Sequence, residues 1–263
     1  MAYQCVNASN QYFNVAALNV SVPPVTFSMW INVASVIAKE SALFLWRGSI
    51  NTGVLLHYTG STWELRYYVA GGTQWQAASG LFVSTGVWQH ICVAISSSQA
   101  RLYLNGASFT NNVSHATANI NAAGDLANDP FNPATHTSFN GLVAEAAVWT
   151  AALSDEECLT LSKRISPLGL TQRLHDLVLY KDLVRDLNRG IGPALTAVNS
   201  PSVSPHPPLI CPFVAPQMFP PRAFGAPYRA ASAVIDANRT LQGFPALAGA
   251  ALGVTHPIGE VSN

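Results

Sequence analysis

The chain has 263 residues, of which 49% are hydrophobic and only 10% charged, with 13 basic and 13 acidic side chains. This length allows one large all-β domain with an appendage, or two modest domains. The zero net charge excludes the dense Lys and Arg surface with which nucleic-acid binders displace counterions, and the scarcity of Asp and Glu excludes an acidic disordered tail.

The segment from about Gln11 to Trp149 predicts β-structure throughout. Runs rich in β-branched and aromatic residues alternate with turns of Gly, Ser, Asn and Thr. The predicted strands are Phe27–Val33, Ala42–Trp46, Val54–Tyr58, Trp63–Val69, Trp88–Ile95 and Ala100–Leu104. Turns at intervals of about 8–12 residues favour a sandwich or barrel over a parallel α/β sheet. Asn105-Gly106 predicts a type I′ hairpin turn, because both of its central positions need positive φ.

One helix is predicted after this region. Ser154 is a good N-cap, and Glu157 three residues later completes a capping box. Acidic residues in the first turn and Lys163-Arg164 in the last would complement the helix dipole. Pro167 prevents the helix from continuing.

The remaining chain divides into a connector and an arm. Residues 167–200 have a small apolar pattern of their own. Residues 201–263 hold 11 of the 17 prolines, which remove backbone donors and oppose regular sheets and long helices. Apolar residues recur along this stretch, so we expect a long arm that docks on the surface of neighbouring subunits. The predicted organisation is a domain over 1–166, a connector over 167–200 and a docking arm over 201–263.

Targeting signals and cysteines bear on the compartment. No apolar run approaches the roughly 18 residues of a membrane span. The first five residues lack the basic and apolar regions of a secretory signal, so we expect synthesis in a host cytoplasm. Cys5, Cys92, Cys158 and Cys211 are widely spaced, which favours four buried or half-buried thiols over a zinc site or structural disulfides.

Four segments in fixed order carry a resemblance to a known family. They are Trp88 to Ile95, Arg101 to Gly106, Phe139 to Trp149 and Ala152 to Glu157. In this order they resemble the concanavalin A-like lectin/glucanase superfamily, specifically its laminin-G-like and pentraxin-like branch, over about Gln11 to Lys163. The resemblance implies a jelly-roll of two packed antiparallel sheets. The connector, with Leu179-Tyr180, Asp186 to Asn188 and His206 to Pro208, looks like a segment that trails such domains in phage proteins.

Glycosidases of this superfamily carry two or three carboxylates on one strand, where alternation points them to one face. No such set occurs among the 13 acidic residues. Glu145 has only Ala147 and Trp149 at the neighbouring same-face positions. His90 and Cys92 share one face of a strand that should be largely buried, so His90 is interpreted as a structural histidine at the core edge. We therefore expect a protein that is not an enzyme.

Two groups of residues are candidates for ligand binding. The loop from Asn121 to Asn132 holds Asp125, Asn128 and Asp129, and the resemblance implies that such oxygens can hold calcium beside a sugar site; Asp125 and Asp129 would be the ligands. The alternative is an ordinary polar turn. Tyr67 and Trp75 are candidates for stacking on sugar rings. The alternative is that one face of their strand is simply core.

These observations favour a structural protein of a virion. A lectin-like head would bind surface glycans, weakly in each copy and usefully in many. The arm would join it to capsid or appendage subunits as a decoration, head-fibre or tail-associated protein, as a homo-oligomer. We expect no nucleic acid, no membrane span and no cofactor other than calcium. The alternatives are a free carbohydrate-binding lectin module and a degenerate glycosidase.

Overall fold

The computed structural model describes residues 2–47, 51–69, 78–129, 136–184, 186–187 and 189–209. Its strands are β1 (Ala2–Cys5), β2 (Tyr12–Val15), β3 (Val20–Val22), β4 (Val25–Val33), β5 (Glu40–Arg47), β6 (Asn51–Tyr58), β7 (Trp63–Tyr68), β8 (Trp88–Ile95), β9 (Ala100–Leu104), β10 (Ala107–Asn111), β11 (Ala118–Ile120), β12 (Gly124–Leu126), β13 (His136–Thr137), β14 (Gly141–Trp149), β15 (Leu177–Lys181), β16 (Leu195–Val198) and β17 (Ser202–Ser204). Helix α1 spans Asp155–Ser162. Short 3-10 turns lie at Asn7–Ser9, Pro167–Gly169 and Thr171–Arg173.

The strands form two large sheets. Sheet 1 has the order β10-β9-β8-β4-β14-β1-β17, with β15 beside β14. Sheet 2 has the order β16-β2-β12-β5-β6-β7, with β13 beside β5, and β3 and β11 make a separate two-stranded ribbon. Apart from the parallel pair of β13 and β5, the strands named above pair antiparallel. The predicted all-β jelly-roll sandwich is confirmed.

The inward faces of the two sheets meet in one apolar core. Alternation along β4 turns Phe27 and its odd-numbered neighbours inward, where they are fully buried. The Phe27 ring centroid lies 5.4 Å from that of Phe44 and 6.0 Å from that of Trp46, both on sheet 2. Such interdigitated aromatic rings supply much of the buried area that holds two sheets together.

All six predicted strands are present. Two of them, Trp88–Ile95 and Ala100–Leu104, have the predicted bounds, and the other four differ by one to three residues at an end. Asn105 has φ 52° and Gly106 has φ 87°, so the predicted hairpin turn joins β9 to β10.

Helix α1 lies on the outward face of sheet 1. Ser154 accepts a hydrogen bond from the Glu157 backbone, and the Glu157 carboxylate accepts one from the Ser154 backbone at 2.7 Å, which confirms the capping box. Cys158 and Leu161 on α1 are buried against Tyr103 and Trp149 of the sheet. The basic residues predicted in the last turn lie beyond it, because α1 ends at Ser162. No helix of the described part of the chain has the length and apolar character needed to cross a membrane.

The sheets continue past residue 166, where the sequence predicted a connector. β15 pairs with β14, β16 pairs with β2, and β17, within the predicted arm, pairs with β1 at the edge of sheet 1. Pro207 is buried, and Leu209 packs against Trp30, Ala144 and Ala2 on the outward face of sheet 1. The rest of the predicted arm, 210–263, lies outside the described residues.

Candidate functional site

The two outward faces of the sandwich differ in what covers them. α1 covers sheet 1 through contacts that include Cys158 and Leu161, Leu170 packs against the same cluster, and Leu209 covers a further part. The outward face of sheet 2 instead carries a line of ionisable side chains at one end. This face is therefore the better candidate for binding a ligand.

Four ionisable residues lie side by side across four neighbouring strands of sheet 2. Glu64 on β7 pairs with His57 on β6. The β5–β6 register places Glu40 opposite His57, and Glu40 also pairs with His136 on β13. Alternation along each strand points these side chains away from the core. We call Glu64, His57, Glu40 and His136 the ionisable row; at about 4.8 Å per strand, it crosses roughly 14 Å of the sheet.

Glu40 connects the two histidines of the row. Its Oε1 lies 2.5 Å from His57 Nδ1, and its Oε2 lies 2.9 Å from His136 Nε2. The Oδ2 atom of Asp129 lies 3.6 Å from the same His136 nitrogen. The side chains of Glu40 and His57 are 19% and 28% exposed, so a ligand in solution can reach this part of the row.

The surroundings of Glu40 favour its charged form. Burial acts to raise its pKa, but hydrogen bonds from His136 and His57, together with their positive charge when protonated, outweigh burial and lower the pKa below its ordinary value. Glu40 is therefore an acceptor at neutral pH. A general acid of a glycosidase needs the opposite shift.

An arginine extends the row along β7. Arg66 Nε donates to Glu64 Oε2 at 2.9 Å, and the Arg66 Nη2 atom lies 2.8 Å from the same oxygen. The other Glu64 oxygen accepts from the Gly80 backbone at 2.7 Å. These contacts fix the guanidinium on the outward face, and Tyr68, two positions further along the strand, is half-buried there. A planar donor beside an aromatic ring suits the hydroxyl and C–H faces of a sugar.

The aromatic residue proposed from the sequence points the other way. Tyr67 is fully buried in the core. Its hydroxyl lies 3.0 Å from His115 Nε2 and accepts from Asn111 Nδ2 at 2.9 Å. Burial raises the pKa of Tyr67 to about 12 despite the Asn111 hydrogen bond. A ring enclosed in this way has no face for a sugar, and Tyr68 takes its place as the candidate. Trp75 lies outside the described residues.

The predicted calcium loop contains a sheet strand. Residues 124–126 form β12 between β2 and β5, and Asp125 accepts a hydrogen bond from Asn14 Nδ2 at 2.5 Å. Asn128 is buried, with its Nδ2 atom 3.5 Å from Asn10 Oδ1. A segment of three residues with polar neighbours resembles a turn in the sequence. It forms a strand because it pairs with β2 on one side and with β5 on the other.

The two carboxylates proposed as calcium ligands are not brought together. Asp125 lies opposite Leu45 on β5, whereas Asp129 contacts His136, which pairs with Glu40 five positions earlier on that strand. The two carboxylates therefore contact different parts of the sheet. Within the described ranges, no three His, Cys, Asp or Glu side chains are grouped as metal ligands. The residues therefore do not fit the calcium site that the family resemblance implies.

His90 has a structural environment. It is 1% exposed, and its Nε2 lies 2.8 Å from Ser28 Oγ. Burial lowers the pKa of His90 to about 3, so the ring is neutral at physiological pH.

Glu145, the lone acidic residue of its strand, is also enclosed. It lies at the β14 bulge with φ 53°. Its carboxylate accepts from the Tyr180 hydroxyl at 2.9 Å and the Ser166 hydroxyl at 3.3 Å, and it lies 3.2 Å from His206 Nε2. Glu145 therefore connects the β14 bulge with residues that follow the predicted domain boundary.

Comparisons with known proteins agree with this architecture. Residues 7–158 match the family profile of the concanavalin A-like lectin/glucanases superfamily. No curated protein matches the sequence.

Among solved structures, a Bacteroides ovatus protein described as carbohydrate-binding superposes with a TM-score of 0.57 at 15% identity, covering 77% of this chain and 61% of that one. A heptameric SAP-like pentraxin from Limulus polyphemus gives a TM-score of 0.50 at 15% identity, covering 69% of this chain and 91% of that one. Tailspike protein 2 of an Escherichia coli bacteriophage gives 0.49 at 14% identity, covering 70% of this chain and 28% of that one. At these identities the likeness is one of fold.

Proposed function

Because the chain belongs to the concanavalin A-like lectin/glucanase superfamily, we propose that it is a non-enzymatic glycan-binding protein of a virus particle. In this proposal the outward face of sheet 2 binds surface glycans. The segment beyond Leu209 docks to capsid or appendage subunits.

The observation that carries the glycan part is the ionisable row with Arg66 and Tyr68 beside it. Sugar sites combine a few fixed polar groups with an aromatic face, and the row supplies carboxylate acceptors, imidazoles and a guanidinium held by Glu64. The lowered pKa of Glu40 supports binding over hydrolysis, since a carboxylate that stays ionised cannot protonate a glycosidic oxygen.

The point at which the described chain ends supports the particle part. Leu209, where the described chain ends, packs on the outward face of sheet 1, while the row lies on the outward face of sheet 2. The described chain therefore ends on the face opposite the proposed glycan site. If the arm attaches the protein to a particle, the ionisable row would face away from the particle. Many copies on one particle would then bind a glycan surface with high avidity even if each sugar contact is weak.

The glycan part is tested by applying the full-length chain to immobilised neutral and acidic oligosaccharides. We expect retention on a subset of them, and we expect Arg66→Ala and Tyr68→Ala each to weaken that binding by roughly tenfold or more. The matched control is Arg101→Ala on sheet 1, whose arginine is similarly exposed and also paired with an acid, Asp155. This variant should bind as the wild type does.

Four results would contradict the proposal or one of its parts. Absence of any retained glycan would remove its basis, and equal losses for the Arg66 and Arg101 variants would place the site elsewhere. Release of reducing sugar from a retained glycan would show an enzyme. Glycan binding by a protein that remains a monomer with its arm intact would favour a free lectin module over a particle protein.

A further inference from the structure

Two cysteines that are 66 positions apart in sequence meet beneath helix α1. Cys92 lies on the outward face of β8, and Cys158 lies on the inner face of α1. Their Sγ atoms are 3.4 Å apart, and both residues are fully buried. The apolar layer around them includes Ala94, Tyr103 and Trp149. The wide sequence spacing of the cysteines gave no sign of this pair.

The two sulfur atoms are in non-bonded contact with each other. A disulfide has an S–S distance of about 2.04 Å, so the two atoms need to approach by about 1.4 Å. Rotation of the two cysteine side chains with a small shift of α1 is a movement of this size. No other residue has to leave the space between the two atoms.

Contacts at its first turn hold α1 in register over β8. Asp155 is paired with Arg101, and it accepts from the Tyr103 hydroxyl. Glu157 lies 2.7 Å from the Arg173 guanidinium. These contacts hold Cys158 over Cys92 in the reduced protein. Helix α1 therefore already has the position that a disulfide between the two cysteines requires.

We propose that Cys92 and Cys158 form an intramolecular disulfide when the protein meets a low-molecular-weight disulfide such as oxidised glutathione. One protein thiolate attacks a glutathione sulfur, forming a mixed disulfide and releasing one glutathione thiolate. The second protein thiolate then attacks the protein sulfur of that mixed disulfide, forming the Cys92–Cys158 bond and releasing the second glutathione. Two protein thiols are oxidised, one small disulfide is reduced to two thiols, and the two thiol protons pass to the solvent and the leaving thiolates.

The burial of the pair sets the rate of this reaction. Burial raises the pKa of the Cys92 thiol, and the neighbouring Cys158 thiol raises it further. The oxidant reaches the sulfurs only when α1 opens, so the bond forms slowly in the folded protein and persists once it is enclosed. The two cysteines therefore stay reduced in a glutathione-buffered cytoplasm, and the disulfide forms after the protein is released from it.

The test is peptide mapping of the full-length protein. Protein purified with a reductant is incubated with oxidised glutathione, alkylated and cleaved with trypsin. Lys39, Arg66, Arg101, Lys163, Arg189 and Arg222 separate the four cysteines into different peptides. We expect linked peptides 67–101 and 102–163, with Cys5 alkylated. The oxidised protein should melt roughly 10 °C higher than the reduced one, as a 66-residue loop predicts.

Cys158→Ser should lose both the linked peptides and the rise in melting temperature, whereas Cys5→Ser should keep both. Glutathione adducts on Cys92 or Cys158 without linked peptides would overturn the proposal. So would links to Cys5 or Cys211 in their place. The wild-type map decides the matter even if Cys158→Ser fails to fold, and its result does not depend on glycan binding.

Discussion

Glu40 contacts both histidines of the ionisable row. Its carboxylate has one oxygen for His57 and the other for His136, and 19% of its side chain is exposed. A carboxylate in this position stabilises the fold only while it is ionised. Its protonation therefore connects the stability of this end of sheet 2 to pH.

Glu40→Gln should reduce the pH dependence of stability. Because the folded protein lowers the pKa of Glu40 below 4.5, its contribution is fully present above about pH 4.5 and is lost as the pH falls through the lowered value. We expect Glu40→Gln to cost about 1–2 kcal/mol at pH 7 and less at pH 3. Urea unfolding at both pH values measures the difference.

The control for this prediction is Glu156→Gln, at an exposed position on α1. It should leave the pH dependence unchanged. A Glu40→Gln protein whose unfolding free energy falls between pH 7 and pH 3 as steeply as that of the wild type would contradict the role given to Glu40.

Single residues also mark where the sequence was informative. Alternation along β7 puts Tyr67 and Tyr68 on opposite faces of the sheet, but alternation alone does not determine which of the two faces the core. That choice depends on the other sheet, because His115 and Asn111, which bind the Tyr67 hydroxyl, are more than 40 positions away. For the same reason the ionisable row could not be predicted: strand register, and not sequence spacing, places His57 beside Glu40 and His136.

Secondary-structure elements were predictable where their signals are local. β4, β8, β9 and α1 carry their own alternation, turn residues or capping box, and each forms where the sequence indicated. β12 and the strands after residue 166 are three to five residues long and polar or mixed in composition. They are strands only because β2, β5, β14 and β1 offer unpaired edges to them.

The capping box of α1 offers a test at this scale. Ser154→Ala removes the hydroxyl that accepts from the Glu157 backbone at 3.3 Å, and it should lower the free energy of unfolding by about 1 kcal/mol. Ser162→Ala, at the last residue of the same helix, is the control and should cost a few tenths of that amount at most. Equal losses in urea unfolding would show that the cap does not hold α1 on sheet 1.

At the scale of the whole molecule, contacts with the sandwich continue past the point where the composition changes. Prolines become frequent after Ser200, yet β17, His206, Pro207 and Leu209 all belong to sheet 1 or its covering. A high proline content indicates where regular helices and strands become unfavourable. It does not indicate where the chain stops contacting the domain. We therefore propose that the domain includes the residues up to Leu209 and that the arm follows it.

Two truncations test this division. A chain ending at Leu209 should melt at the temperature of the full-length domain. A chain ending at Ser200 should melt several degrees lower, because β1 loses β17, one of its two neighbouring strands, and the buried Glu145 carboxylate loses His206. Thermal unfolding measures both, and equal melting temperatures would contradict the division.

The same proteins, examined by mass in solution, test the arm. Full-length protein should associate, while the chain ending at Leu209 should be monomeric. Monomers in both cases would contradict the assembly role proposed for residues 210–263.

The pairing of β1 with β17 has a practical consequence. Ala2 lies opposite Ser204, so the first strand of the domain and its last one are neighbours, with Cα atoms about 5 Å apart. The described chain ends at Leu209, which packs against the apolar cluster that contains Ala2. The two ends of the described domain therefore lie near each other, and the domain can be inserted as one unit into a surface loop of an unrelated host protein whose loop ends lie close together.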